Sequence, residues 1–240
     1  MSADLRIQQF LPFKSFVNHS FWHKFAEIKI DVLKLSDQPL EIYGFYSNFN
    51  SKSNLLEVDY SSFNKDFKAL KGCFPAYGTI YNKNTIEEFK DCNKVQLLTE
   101  QGERFLNDLT SGRILEDPRL LARFFILSFA DLKVHKYYYW FGFPCPMDPS
   151  FTENTKSKKL SECNDLTMDD VENAYQQITR DEDKSFFVLQ RVGDNVEAIA
   201  LKDFKGDGDC YFAFCDSAEI SLVQPSWLMR TYAYFLLRSL

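Results

Sequence analysis

Residues 124–130 read Phe-Phe-Ile-Leu-Ser-Phe-Ala, an apolar run broken only by Ser128. Such a run offers no polar face to water, so it suits a strand covered on both sides. After the polar residues 133–136, a second run over 137–143 is rich in aromatics. Together the two runs predict a β-hairpin at the centre of the fold.

Composition supports a large core around that hairpin. The chain has 240 residues, 45% of them hydrophobic, with 24 Phe, 12 Tyr and 3 Trp. Aromatic side chains each remove a large apolar area from water, and their abundance excludes a disordered polymer. The balance of 28 basic against 34 acidic residues, net −6, argues against general nucleic-acid binding. No stretch of 18 apolar residues predicts a membrane span. Residues 1–9 are polar and lack the apolar segment of a secretory signal. The six cysteines, Cys73, Cys92, Cys145, Cys163, Cys210 and Cys215, form no Cys-x-x-Cys pair. They read as reduced thiols of a cytosolic protein.

Local signals place the other elements. Asn18 and Ser20 offer N-caps for a first helix, whose buried face would be Phe21, Phe25, Ile28 and Val32. Strands are expected over 40–46 and 55–60. Thr85 and Glu88 fit a capping box. A longer helix is expected from about Asn93, with Val95, Leu98, Phe105, Leu106 and Leu109 inward and Gly112 at its left-handed end. Asp117-Pro118 suits the start of another short helix. Pro144, Pro146 and Pro149 and the polar residues after them read as a surface linker. Beyond it, Thr167 and Asp170 suggest another capping box, for a helix that buries Val171, Ala174, Tyr175 and Ile178. Strands over 185–192 and 196–202 should follow, joined as a hairpin over Gly193-Asp194-Asn195, then a strand over 210–214 and a helix after Pro225. The expected fold class is mixed α/β: two small mixed-sheet subdomains with flanking helices, over residues 1–144 and 165–240, joined by the linker 145–164.

No motif assembles an active site. His19 and His23 have the spacing of two helix-borne metal ligands, but the acidic neighbour of a metalloprotease is replaced by Ser20, and His135 is the only other histidine. Residues 203–209 have the alternating acids of a calcium loop, yet the third position is Lys205 and the twelfth is Phe214. Gly206 and Gly208 lack the third glycine of a dinucleotide loop. The acid pair Asp169-Asp170 sits in a helix's first turn, where carboxylates complement the macrodipole. No catalytic residue, cofactor or metal is therefore expected. A cysteine nucleophile without a local signature stays open as an alternative.

One set of segments is distinctive. Phe129-Ala130-Asp131-Leu132-Lys133 is followed by Tyr137-Tyr138-Tyr139-Trp140 and Pro144. Phe21-Trp22-His23 opens the first helix. Gly78-Thr79-Ile80-Tyr81-Asn82 precedes Asn84-Thr85, and Ser111-Gly112 precedes Leu115-Glu116-Asp117-Pro118. In this order the segments resemble the N-terminal domain of the autophagy-related protein seven family, the ubiquitin-like modifier-activating enzymes of autophagy. The resemblance runs from about residue 8 to residue 236 and is densest up to Pro144. The sequence departs from it at Cys215-Asp216-Ser217-Ala218 and at Pro225-Ser226-Trp227-Leu228-Met229-Arg230-Thr231.

The resemblance implies a cytoplasmic, monomeric domain acting in autophagy, with the pre-autophagosomal structure as a place of action. It implies recruitment of the conjugating enzymes that receive activated modifiers. The family's adenylating domain, with its ATP loop, zinc-binding cysteines and catalytic cysteine, would lie beyond Leu240. A non-functional fragment is the remaining alternative. Candidate docking residues are Lys133, Lys136, Arg119 and Arg123, a local positive cluster in an acidic chain, with Tyr138 and Trp140 as aromatic anchors. In strand geometry Tyr137, Tyr139, Phe141 and Phe143 point one way, and Tyr138, Trp140 and Gly142 the other. Both sets belonging to the core is an equally open reading.

Overall fold

The computed structural model describes residues 6–7, 10–11, 14–34, 36–47, 55–146, 152–153, 158–206, 208–217 and 225–239. Two short strands, β1 (Arg6–Ile7) and β8 (Thr152–Glu153), pair antiparallel. The main sheet has six strands in the order β2-β4-β3-β5-β6-β7. They are β2 (Lys14–Val17), β3 (Leu40–Ser47), β4 (Leu55–Val58), β5 (Cys73–Lys83), β6 (Arg123–Asp131) and β7 (Lys136–Gly142). β2 runs parallel to β4 and β5 parallel to β6; the other neighbours are antiparallel. A second sheet is a three-stranded meander, with β9 (Phe186–Val192) between β10 (Asn195–Ile199) and β11 (Cys210–Phe214). The helices are α1 (His19–Ile28), α2 (Ile86–Asp91), α3 (Lys94–Thr110), α4 (Arg113–Glu116), α5 (Met168–Gln176) and α6 (Trp227–Ser239). Fold class is mixed α/β, as expected.

β6 is covered on both faces: Phe124, Phe125, Ile126 and Leu127 are all fully buried. The predicted hairpin forms, with Ala130 opposite Tyr137 and Ile126 opposite Phe141. Its position differs from the expectation, because β7 is an edge strand. Aromatic content alone does not separate an edge strand from a central one, since rings also shield an edge by stacking on helices. The main core joins α1, the six-stranded sheet, β9 and α6, so Phe21, Phe124, Phe186 and Phe235 belong to one apolar cluster. A smaller cluster lies under α5, with Ala174, Phe187 and Leu189. The segments 147–151 and 154–157 of the expected linker lie outside the described residues, while Leu160–Glu162 form a 3-10 turn.

The helix caps form as their chemistry dictates. The Asn18 side chain accepts from the Ser20 amide, and Asn93 from the Gln96 amide. Thr85 with Glu88, and Thr167 with Asp170, make reciprocal capping boxes. Asp117 caps the 3-10 turn Pro118–Leu121 by accepting from the Arg119 amide. Gly112 has φ +77°, a conformation natural for a residue without Cβ.

Two helix faces differ from the periodicity. After Ile28 the chain passes into a π-helical turn, Lys29–Leu33, closed by the Lys34 amide donating to the Lys29 carbonyl. The wider turn shifts the register. Lys29 and Leu33 go inside, and Val32 is left 69% exposed. On α3 the inward residues are Leu97, Gln101, Phe105 and Asp108, while Val95 and Leu106 face outward. Gln101 and Asp108 are admitted inside because each has a polar partner there: Tyr81 for the amide and arginines for the acid.

Candidate functional site

The β6–β7 hairpin ends in a tight turn. Asp131 closes β6, and its carboxylate accepts from the Lys133 amide at 3.1 Å. His135 then adopts φ +52°, which lets the chain reverse. Lys133, Val134, His135 and Lys136 are all exposed. Among the described residues neither lysine forms an ion pair, although Lys136 lies opposite Asp131 in the strand register. The turn thus presents two cations to solvent.

The aromatics of β7 alternate between faces. Toward α1, Tyr137 stacks on Trp22 at 5.0 Å and Tyr139 leans on the same ring at 5.3 Å. Further along, Phe141 stacks on Phe124 and Phe143 meets Trp227 of α6. On the other face Tyr138 lies between Phe129 and Phe89, and Trp140 meets Phe125 edge-on at 5.4 Å. Packing takes the larger share of each ring. Only Tyr138 and Tyr139 remain more than 40% exposed, and Trp140 is half-buried.

The positive cluster divides. Arg123 opens β6 and Lys133 lies beyond its other end, so eight strand steps of about 3.3 Å, roughly 26 Å, separate them along the strand axis. Arg123 is buried, 7% exposed, and donates to Asp108 while its guanidinium lies over the Tyr77 ring at 5.4 Å. Arg119 makes a two-point contact with Asp117, at 2.7 and 2.9 Å. Neighbours in sequence became opposite ends of an extended strand. The two arginines anchor one end of β6, and only Lys133 and Lys136 share a surface, with Tyr138 near them on β7.

The half-buried thiols of Cys145 and Cys215 contact neutral oxygens, and Cys215 also bonds to the Tyr175 side chain. Cys145 Sγ lies 3.7 Å from Thr231 Oγ1, and Cys215 Sγ donates to the Lys184 carbonyl. Burial raises both pKa values, that of Cys215 to about 11, so both stay protonated thiols near neutral pH. Among the described residues no cluster of His, Cys, Asp and Glu could hold a metal ion, and no helix is long and apolar enough to cross a membrane.

Sequence reasoning passed over Asp108, the acid that holds Arg113 and Arg123 together. An acid on an inward helical position is the signal that could have found it. It passed over Lys29 as well. That amine is buried, donates to Asn82 Oδ1 and the Lys83 carbonyl, and faces the Phe129 ring. Burial lowers its pKa.

Comparison with known proteins agrees with the sequence resemblance. Residues 8–240 match the family described as ubiquitin-like modifier-activating enzyme ATG7 N-terminus. The ATG7 of Gallus gallus is 41% identical over 138 residues, covering 57% of this chain and 20% of that protein. The atg7 of Dictyostelium discoideum is 29% identical over 262 residues, covering 95% of this chain and 35% of that protein. The chain therefore spans about a third or less of these relatives' lengths. The crystal structure of Kluyveromyces marxianus Atg7NTD superposes with a TM-score of 0.64 at 24% identity, over 95% of this chain and 79% of that one. The Atg7NTD–Atg10 complex from the same organism gives 0.63 at 23% identity, over 98% and 79%. At these identities the likeness is one of fold.

Proposed function

Because the chain belongs to the family of ubiquitin-like modifier-activating enzyme ATG7 N-termini, we propose that it is a docking module of the autophagy conjugation pathway. In this reading it recruits a conjugating enzyme and leaves adenylation and thioester chemistry to other parts of the pathway enzyme. One observation carries the reading: a domain of this fold from Kluyveromyces marxianus is solved in complex with Atg10. The half-buried, protonated Cys145 and Cys215 support a non-catalytic role, since neither is poised as a nucleophile. The proposed module is cytoplasmic and monomeric, and it binds proteins rather than nucleic acid.

The docking surface proposed here is the hairpin turn with the outer face of β7. Lys133 and Lys136 supply exposed positive charge, and Tyr138 supplies an exposed ring beside them. A partner with an acidic flexible segment would be drawn to this turn. Such contacts mostly raise the association rate and weaken with salt. The test is calorimetric titration of an Atg10-type conjugating enzyme into wild type and the Lys133→Glu, Lys136→Glu double variant. Reversing two exposed charges should weaken binding on the order of tenfold at low salt, chiefly through slower association, with the difference shrinking at high salt. The melting temperature should not change, because neither side chain is buried. Equal affinity in the folded double variant would refute this placement of the surface. ATP–pyrophosphate exchange above background by the chain alone would refute the non-catalytic reading.

A further inference from the structure

A cleft of about 470 Å³ opens between α3 and the sheet, at the end of the hairpin remote from its turn. Three arginines from three elements converge on it: Arg104 from α3, Arg113 from α4 and Arg123 from β6. Arg104 and Asp108 are four residues apart on one helical face. Asp108 spends both carboxylate oxygens inside the cluster: Oδ1 accepts from Arg113 at 2.6 Å and Oδ2 from Arg123. On the sheet wall of the cleft, Glu41 accepts the Tyr77 hydroxyl from the neighbouring strand. Among the described residues Arg104 pairs with no carboxylate.

The arrangement is one acceptor short. Arg123 has a side chain only 5% exposed, yet its Nε has no hydrogen-bond partner in the cleft wall. Burial lowers the pKa of this guanidinium, Asp108 opposes that, and Arg104 and Arg113 reinforce it from nearby. Three planar guanidiniums thus gather around Asp108, with Glu41 as the second carboxylate of the cleft. Their fork geometry matches oxyanions with several acceptor oxygens. The volume lies within the range of small-molecule sites, about 300–1,000 Å³, and Pro39 and Leu40 give the cleft an apolar wall beside the charges. Glu41 would repel an anion at its own end, which leaves the Arg104 end for the charged group and the apolar wall for an organic body.

We propose that this cleft is a binding site for a small phosphate monoester, its phosphate held by Arg104 together with Arg113 and Arg123. Free phosphate shares the charged part of this chemistry but not the contact with the apolar wall. The experiment is calorimetric titration at constant ionic strength with phenyl phosphate and with inorganic phosphate. Wild type should bind phenyl phosphate more tightly than inorganic phosphate. Arg104→Gln, whose side chain is exposed, should weaken phenyl phosphate at least tenfold while leaving the ligand-free melting temperature unchanged. Glu41→Gln should tighten binding by removing the opposing charge. No binding of either anion, or equal binding in Arg104→Gln, would overturn the site. Inorganic phosphate binding as tightly as the ester would overturn the assignment of an organic ligand.

Discussion

Gly78→Ala should destabilise the chain through one ring. Phe124 lies directly opposite Gly78 across the parallel β5–β6 pair. A methyl at position 78 would stand 2.6 Å from both Cε1 and Cε2 of Phe124 and closer still to Cζ. The ring also extends over β3, where a methyl at Gly44 would meet its Cε1 at 3.1 Å. Phe124 therefore occupies a trough floored by two glycines. It cannot retreat easily, being fully buried and stacked on Phe141 at 5.3 Å. β5 cannot retreat either, held between β3 and β6. Overpacking of this kind costs about 1–3 kcal/mol. Replacing glycine also removes unfolded-state entropy, which returns about 0.4–1 kcal/mol. The net expectation is a loss of roughly 1–2 kcal/mol, or a fall in melting temperature of about 2–8 °C for a chain of this size. Urea unfolding followed by far-ultraviolet dichroism measures it. Adding Phe124→Leu should make the double variant more stable than the sum of the single losses, because the clash and the ring are then removed together. Gly142→Ala meets the Phe125 ring on the opposite face, but it sits on the edge strand, which can shift, and should cost less. A Gly78→Ala variant as stable as wild type would refute the reasoning.

Three further predictions rest on buried charge and on the half-buried thiols. Asp108→Ala leaves Arg123 without its carboxylate in a side-chain environment 5% exposed and should cost about 3–5 kcal/mol, read by urea unfolding. Arg123→Leu added to it should recover most of that loss, whereas a cost that persists would place the role of Asp108 elsewhere. The raised pKa of Cys215 makes the folded state hold a proton that the unfolded thiol releases above 9.0. Its contribution is thus complete below pH 9 and is lost as pH rises toward about 11, on the order of 2–3 kcal/mol. Stability of a Cys215→Ala variant should fall less over that interval. In parallel, iodoacetamide at pH 7 should label Cys145 and Cys215 more slowly in the folded chain than in urea, and fast labelling of either would revive a nucleophilic role.

Features fixed within a few residues of one another were legible in the sequence. Thr85 with Glu88, Thr167 with Asp170, and Asn93 with Gln96 form caps because each donor and acceptor lies three residues away, whatever the rest of the chain does. The apolar run around Ile126 announced a strand covered on both faces, because no partner choice could make such a segment comfortable in water. The ordered aromatic and turn motifs carried the family. Tertiary structure decided the rest. Periodicity put Val32 inside, and a π-helical turn put Leu33 there instead. Closeness in sequence joined Arg123 to Lys133, and an extended strand set them at opposite ends of a sheet. Asp108 gained its partners, and Phe124 its glycine trough, only when separate elements met. Caps obey local hydrogen bonding, whereas register, charge pairing and the shape of a cleft depend on which distant atoms come to lie together, and that is a property of the packed chain.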